Sequence, residues 1–263
     1  MKIMANWKSR AAPYKSGQSS PFKISRSKIE LFIQCPRCFW LDARLKLKRP
    51  NGPPFSLNKA VDELFKKEFD SYRLRGKAHP LMVEFGVSAV PFRHERLNSW
   101  RHTFSGVVAL HKPTNLHIFG AVDDLWINDA GEVLVVDYKA TAKEKDVDID
   151  SAWQISYKRQ IEVYQWLLRQ NGLKVNDIGY FVYANGRLDL DSFSDRLEFR
   201  TKIIPYKAND AWVEPTLFKI KACIEGDMPA VGVAAMGGEC EFCAYARDRT
   251  ELTLQSLQTK KKI

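Results

Sequence analysis

The sequence predicts an α/β (α+β) fold, in which helices flank a central mixed sheet that contains a three-stranded antiparallel meander. Three observations lead to this class. Apolar residues recur at helical spacing near the N-terminus and again over about 153–170. Between these segments lies a hairpin pattern over residues 119–141. The length of 263 residues, without internal repeats, suits one domain with appendages.

The first residues predict a tail and then a helix that Pro36 interrupts. Residues 1–22 are basic and polar, and we expect a disordered tail there. Ser27 and Glu30 have the spacing of a capping box, which predicts a helix over about 28–34. Pro36 marks a break or a restart, and a helical pattern follows it.

A second helix and the meander come next. Apolar residues at helical spacing predict that helix after Asn58: they are Val61, Leu64, Phe65, Phe69 and Tyr72. The meander is expected from strands over about 103–111, 116–127 and 132–140.

The C-terminal half predicts further elements in alternation. The helix over 153–170 ends at the pair Asn171-Gly172, which is typical of a C-cap. Two strands and a helix are expected at about 177–184, 197–204 and 209–224. We expect a single domain over residues 23–250 and a basic tail over 251–263.

The central hairpin carries charge inside an apolar strand. Asp137 and Lys139 lie on one face of the strand VLVVDYK, where burying them is costly unless something binds them. A three-residue turn at 129–131, with Gly131 left-handed, places Asp123 opposite Asp137 on the same face. Two carboxylates and an ammonium there predict a site for a hard divalent cation. A surface hairpin with solvated charges is the alternative.

Composition and missing motifs exclude several classes. No apolar run approaches membrane-spanning length, and the first residues lack the apolar core of a secretion signal, so we expect a cytoplasmic protein. The net charge of +10 comes from residues 1–29 and 260–262, and these basic ends either contact nucleic-acid phosphates or solubilise the chain. The sequence has no Gly-rich phosphate loop, no Gly-x-Ser-x-Gly elbow and no zinc-protease histidine pair.

Four of the five cysteines form two Cys-x-x-Cys pairs about 200 residues apart, Cys35 with Cys38 and Cys240 with Cys243. In a chain without an export signal this favours metal over disulfides, because the step matches the bite of a tetrahedral thiolate site. Cys223, in a predicted helix, is expected to be a small buried apolar residue.

The order of these features resembles the PD-(D/E)XK nuclease superfamily, and within it the RecB-like nucleases, over roughly residues 25–250. That superfamily has an acid, a hairpin and an acid-x-lysine: here Asp123 in GAVDDL, and Asp137 and Lys139 in VVDYK. The resemblance implies a restriction-endonuclease-like core. It also implies that Asp123, Asp137 and Lys139 are catalytic. Asp124 points to the opposite face of the strand, so we expect it to be structural.

The RecB-like branch adds a Gln-x-x-x-Tyr motif on the next helix, here Gln160 and Tyr164. The resemblance gives both a role in positioning DNA, and packing against the sheet is the alternative. Asp62 stands where the branch often has a histidine, so it becomes a third candidate ligand. Two departures are Ala140 between the lysine and the following threonine, and Asn58 in place of a glycine.

Several RecB-like nucleases carry a 4Fe–4S cluster on one N-terminal and three C-terminal cysteines. Cys35, Cys240 and Cys243 match three of these ligands, Arg249 stands at the fourth position, and Cys38 can replace the missing one. The resemblance therefore implies a 4Fe–4S cluster. Zn²⁺ and a degenerate site of reduced cysteines are the alternatives.

The resemblance implies a Mg²⁺- or Mn²⁺-dependent deoxyribonuclease in DNA repair, recombination or defence, with DNA and a helicase or other DNA-processing protein as partners. Asp62, Asp123 and Asp137 would hold the ions, and Lys139 would orient or deprotonate the attacking water. Two alternatives stay open: a non-catalytic nucleic-acid-binding module on the same fold, and an assembly protein that uses the cysteines as a scaffold.

Overall fold

The computed structural model describes residues 12–52, 56–234 and 237–260. Its strands are β1 (Phe22–Ser25), β2 (Val90–Pro91), β3 (Val107–His111), β4 (Leu116–Gly120), β5 (Asp124–Ile127), β6 (Val133–Thr141), β7 (Ile178–Gly186) and β8 (Phe199–Lys207). Its helices are α1 (Arg26–Gln34), α2 (Pro36–Leu45), α3 (Ser56–Arg75), α4 (Pro80–Glu84), α5 (Leu97–Arg101), α6 (Ile155–Gln170), α7 (Val213–Glu225) and α8 (Glu241–Lys260). Short 3-10 turns cover Lys112–Thr114 and Ala152–Gln154.

Two sheets organise these elements. The larger has the order β2-β5-β6-β7-β8, in which β6 and β7 are parallel and the other neighbours are antiparallel. The smaller has the order β1-β4-β3, with β1 parallel and β3 antiparallel to β4. Helices flank this mixed arrangement, which confirms the predicted α/β (α+β) class.

The predicted strand over 116–127 is wrong as one strand, because it divides between the two sheets. β4 pairs with β3 in the smaller sheet, whereas β5 pairs with β6 in the larger. At the break, the N–H of Val122 donates to the carbonyl of Trp100 at 3.1 Å, which draws the chain out of the first sheet. The meander is therefore two hairpins, and Asp123 lies in the corner between them.

The register of the central hairpin is confirmed. Ile127 pairs with Val133 and Asp124 with Val136, so the same alignment sets Asp123 opposite Asp137. Gly131 has φ +71°, a left-handed conformation that glycine adopts without steric cost. The predicted three-residue loop thus fixes which residues of the two strands face each other.

The helix caps agree in part with the prediction. α1 begins at Arg26, because the Ser25 hydroxyl accepts from the N–H of Lys28 at 3.3 Å, so the predicted capping box at Ser27 is wrong. Pro36 restarts the chain as α2, as predicted. The C-cap at Asn171 is also confirmed. The short helices α4 and α5 and the long α8 were not predicted.

The sheet is covered on both faces. Phe65 and Phe69 of α3 pack with Trp126 and Tyr138 on one face, while α6 packs Ile161 and its neighbours on the other. These helices fix the positions of residues that surround β6. The described helices are all too short or too polar to cross a membrane.

The N-terminal tail is shorter than expected within the described residues. Tyr14 is 3% exposed, its N–H donates to the Ala43 carbonyl at 2.9 Å, and its ring packs on Phe22. The expected tail over 1–22 was therefore extended too far, since this aromatic side chain belongs to the core. Residues 1–11 and 261–263 lie outside the described residues, and most of the tail expected over 251–263 is the exposed end of α8.

Candidate active site and cysteine cluster

Strand β6 carries a buried ion pair. Asp137 is 0% exposed, and the Lys139 ammonium contacts its Oδ2 atom. Apart from the Lys139 ammonium at Oδ2, no hydrogen-bond donor among the described residues reaches either carboxylate oxygen of Asp137. Buried carboxylate oxygens with free lone pairs are costly, so this pocket favours a further cation or hydrogen-bond donor.

Asp123 faces this pair from the corner that precedes β5. The N–H of Tyr138 donates to its Oδ2 atom at 3.1 Å, which holds the carboxylate beside β6. Burial, and next the charge of Asp137, raises the pKa of Asp123 from 3.8 to about 7. Burial by itself lowers the pKa of Lys139, but Asp137 and Asp123 outweigh it, and the net shift is upward. Lys139 is therefore held as an ammonium that balances two acids.

Helix α3 supplies a third acid. The Oδ2 atom of Asp62 accepts from the Lys66 ammonium at 2.6 Å, while its buried Oδ1 has no partner among the described residues. Burial, and next the charge of Asp123, raises the pKa of Asp62. The sequence reasoning missed Lys66, whose signal was its spacing of four from Asp62 on a helix.

The three acids are neighbours but are not closely clustered. Among the described residues, the four cysteines alone form a group of three or more metal-ligand atoms within 4.8 Å of one another. Asp62, Asp123 and Asp137 do not reach that spacing. The buried oxygens of Asp62 and Asp137 that lack a hydrogen bond nevertheless suit Mg²⁺ or Mn²⁺, because hard cations prefer carboxylate oxygens with free lone pairs.

Helix α6 directs Gln160 and Tyr164 toward the acids. Both are buried, and the Gln160 amide donates to the Tyr164 hydroxyl at 3.3 Å. Burial raises the pKa of Tyr164, and the charges of Arg26, Asp123 and Asp137 also act on it. The sequence reasoning missed Arg26, whose buried Nε atom has no partner among the described residues. It reaches the site because Ser25 caps α1 there.

Asp124 lies on the other side of β5 and has a structural environment. It is 0% exposed and accepts from Arg73 at 2.5 Å, from Arg101 at 2.6 Å and from the Tyr138 hydroxyl at 2.7 Å. Two guanidinium groups neutralise this acid at Oδ1 and the Tyr138 hydroxyl donates to Oδ2, so Asp124 is poorly suited to hold a metal. The contrast with Asp137 separates the supporting acid from the candidate ligand.

The two cysteine pairs meet in space. The Sγ atoms of Cys38 lie 3.6 Å from Cys243 and 3.8 Å from Cys240, and Cys35 lies 3.8 Å from Cys243. Cys35 both ends α1 and caps α2, and the second pair opens α8. Cys223 is outside this group and is half-buried.

Two residues around the cluster hold it in place. The N–H of Gly232 donates to the Cys35 sulfur at 3.4 Å, and its carbonyl accepts from Cys240 at 2.8 Å. A Cβ at position 232 would lie 2.6 Å from the Cys35 Cα atom, so this close approach requires glycine. Arg49 donates to the Cys240 sulfur at 3.2 Å and stacks on Phe242. A guanidinium there would offset the negative charge of thiolates that hold a metal.

The sulfur spacing fits a single tetrahedral ion. Zinc–sulfur bonds of about 2.3 Å place four tetrahedral sulfurs roughly 3.8 Å apart. The three contacts above are 3.6–3.8 Å. In a 4Fe–4S cluster each cysteine binds a different iron, which sets the sulfurs farther apart than ligands of one shared ion. The cysteines therefore fit a mononuclear centre better than the cluster that the resemblance implied.

One of three comparisons with known proteins assigns the chain to a family. A search of the curated proteins finds no match. The solved structure of SSO0001 is similar at 17% sequence identity over 78% of each chain, with a TM-score of 0.35. A family model of the PD-(D/E)XK nuclease superfamily matches residues 56–247, a range that includes the three acids, Lys139, Gln160 and Tyr164. Because this match spans more than half of the sequence, the chain belongs to the PD-(D/E)XK nuclease superfamily.

Proposed function

We propose that this protein is a Mg²⁺- or Mn²⁺-dependent DNA nuclease of the RecB-like branch, which hydrolyses phosphodiester bonds. The observation that carries the proposal is the fully buried Asp137 carboxylate, which has no donor among the described residues other than the Lys139 ammonium and lies beside Asp123. A protein that only binds nucleic acid has no use for buried, unsatisfied acids, which repel phosphate.

Each side chain has a distinct part in the proposed reaction. Asp123, Asp137 and Asp62 would hold the divalent ions, which polarise the phosphate and lower the pKa of water. Lys139 is already an ammonium beside two acids, so it suits orienting the attacking water and neutralising charge better than removing a proton. The Gln160 amide and the Tyr164 hydroxyl would position the DNA strand at the edge of this pocket.

The first test is a cleavage assay on linear and circular DNA with a series of divalent cations. Asp137→Asn and Lys139→Ala should each lower the rate by about 10²-fold or more, because they remove a ligand or a charge at the reacting phosphate. Lys174→Ala, an exposed lysine near the hairpin turn, is the matched control and should cut at the wild-type rate. Equal cleavage by wild type and Lys139→Ala would exclude this mechanism.

The second candidate is a non-catalytic nucleic-acid-binding module, which the family's fold also permits. It predicts binding that weakens steeply with salt, no cleavage with any cation, and no loss of binding in Asp137→Asn. The same variants therefore discriminate the two, when cleavage and binding are measured on one DNA.

For the cysteine cluster we propose one tetrahedral ion, with Zn²⁺ first and a 4Fe–4S cluster as the alternative. The spacing of the sulfurs and the two enclosing residues, Gly232 and Arg49, support the zinc proposal. Elemental analysis of anaerobically purified protein should give about one zinc and no iron. Four irons with a broad visible absorption band would establish the cluster instead.

On the resemblance alone, we place this activity in DNA repair, recombination or defence, with a helicase or other DNA-processing protein as a partner. The cytoplasmic location is proposed from the first residues, which lack the apolar core of a secretion signal. Mixing experiments would test that partnership. A helicase that exposes single strands should raise the cleavage rate of duplex DNA, and a helicase variant without ATPase activity is the control.

A further inference from the structure

We propose that Trp153, together with Lys143, forms a stacking site for an unpaired base next to the phosphate that is cut. The inference rests on the proposed nuclease function and names the form of its substrate: a strand whose bases are free to leave the duplex stack. Neither residue belongs to the motifs considered above.

Trp153 is separated from the candidate catalytic lysine by a single aromatic ring. The ring of Tyr157 lies 4.5 Å from the Lys139 ammonium, and the Trp153 ring meets the Tyr157 ring edge-on, with centroids 5.4 Å apart. One aromatic ring therefore connects the candidate catalytic lysine to Trp153. A nucleotide whose phosphate lies at Lys139 has its neighbouring base within reach of Trp153.

The indole is exposed although its backbone is well anchored. Trp153 is 49% exposed. Its 3-10 turn is held by Gln154, which is 1% exposed, accepts from the Ser151 N–H and donates to the Asp148 carbonyl at 2.6 Å. The turn keeps its shape without burying the indole, so the large exposed ring is free to serve a ligand.

One unpaired ammonium beside Trp153 is available to a phosphate group. The Lys143 ammonium lies 5.5 Å from the centre of the Trp153 ring. It forms no ion pair with any acid among the described residues, unlike Lys139 and Lys158 nearby. Lys143 also lines a cleft of mixed charge, in which Asp189 pairs with both Arg187 and Arg200. An unpaired ammonium beside an exposed aromatic face is the combination that binds single-stranded nucleic acid.

These features favour an unpaired base over a base within a duplex. Every base has a flat face that stacks on indole, but a paired base already uses both faces inside the helix. Stacking on Trp153 therefore increases the affinity for substrates with a single strand, a flap or a frayed end. If the ring instead binds a protein segment or a detergent-like ligand, a single-stranded oligonucleotide should show no quenching that depends on Trp153.

The test uses full-length protein with the variants Trp153→Ala and Trp153→Phe. The first readout needs no cleavage: a short single-stranded oligonucleotide that carries 2-aminopurine is bound in buffer with a chelator. Stacking on the wild-type indole should quench the fluorescence, and Trp153→Ala should lose this quenching and bind at least about 5-fold more weakly. Trp153→Phe keeps an aromatic face and should retain most of both.

The second readout is steady-state cleavage of single-stranded DNA. Trp153→Ala should raise KM about 5-fold or more and change kcat little, because the indole binds a base away from the reacting atoms. The matched control is Phe218→Ala, which alters an exposed aromatic residue that packs on His111. His111 pairs with Leu116, at the end of β4 that is far from Asp123. The control variant should leave KM and quenching unchanged.

The two proposals fail in distinguishable ways. If no cation supports cleavage but Trp153→Ala abolishes quenching, the stacking site stands and the nuclease function falls. If Trp153→Ala cleaves and quenches like the wild type, the stacking site is excluded while the nuclease remains. Equal weakening by Trp153→Ala and Phe218→Ala would also overturn the stacking site, because the effect would not be local.

Discussion

At the scale of single residues, the two facing acids of the hairpin oppose each other. Asp123 and Asp137 share one pocket with one ammonium, so at neutral pH the pocket holds more negative charge than Lys139 can balance. Residues that are arranged for binding a cation commonly destabilise the fold without it. The destabilisation by these two acids should appear in the pH dependence of the free energy of unfolding.

Asp123→Asn should therefore stabilise the protein in metal-free buffer at pH 8. The folded state raises the pKa of Asp123 from 3.8 to about 7, so its ionised form is disfavoured by folding. Wild-type stability is highest below pH 4 with respect to this group, and it falls as the pH rises through 7. At pH 8 the free energy of unfolding of the variant should exceed that of the wild type by on the order of 1–3 kcal/mol. Near pH 4 the two proteins should be equally stable. Urea denaturation at both pH values measures the difference.

Asp124→Asn is the matched control, because two arginines neutralise this acid and both of its oxygens accept hydrogen bonds. It should lower stability at pH 8 by breaking a buried network. If Asp123→Asn is also less stable than the wild type at pH 8, the two carboxylates do not repel each other in the folded protein.

The residues on the hairpin were predictable because strand alternation and turn length act locally. Gly131 fixes the loop, the loop fixes the register, and the register sets Asp123 opposite Asp137. Arg26 and Lys66 were not predictable in the same way. They reach the site from α1 and α3, and only long-range packing decides where a helix lies on the sheet.

At the scale of secondary-structure elements, the sequence reasoning failed where one apolar run served two sheets. The run LHIFGAVDDLWI reads as a single strand, yet β4 and β5 belong to different sheets. The break depends on the bond from the Val122 N–H to the Trp100 carbonyl, a partner 22 positions away. Such a contact is invisible to periodicity, although it creates the corner that carries Asp123.

The segment that encloses the cysteines gives an element-scale prediction. Gly232→Ala should weaken metal binding, because a Cβ there meets the Cys35 backbone at 2.6 Å and pushes the segment away from both cysteine pairs. Outer contacts of a metal site typically change affinity 10–100-fold. The measurement is the chelator concentration that removes half of the zinc, and a loss of at least about 10-fold is expected.

Gly52→Ala is the control, since a Cβ at that position meets nothing within 4 Å. It should release zinc at the wild-type chelator concentration. Unchanged release in Gly232→Ala would mean that the backbone around residue 232 does not support the metal.

At the scale of the whole molecule, the cysteine cluster ties distant parts of the chain together. α1 and α2 meet at Cys35, and Cys240 lies just before α8. The segment of the chain between the two cysteine pairs therefore contains nearly all of both sheets. Closing a loop of this length restricts the unfolded chain, by about 5 kcal/mol in the chain-entropy model of cross-links. The metal would thus stabilise the whole fold although it lies away from the acids.

Removing this metal should therefore lower the Tm of the protein while the active-site ions stay in place. A zinc chelator is added in buffer that holds excess Mg²⁺, and thermal unfolding is followed by circular dichroism. We expect a fall of several degrees or more, because the lost constraint is a large part of a marginal stability. Cys240→Ser should start at the lower Tm and not respond to the chelator.

Cys223→Ser isolates the cluster from the other effects of losing a thiol, because this cysteine lies outside the group of four. It should keep both the wild-type response to the chelator and the bound zinc. If elemental analysis shows that zinc has left the wild-type protein and its Tm has not moved, the cysteines do not hold the fold together. The two cysteine pairs would then be held together by the packing of the sheets and α6, without a contribution from metal.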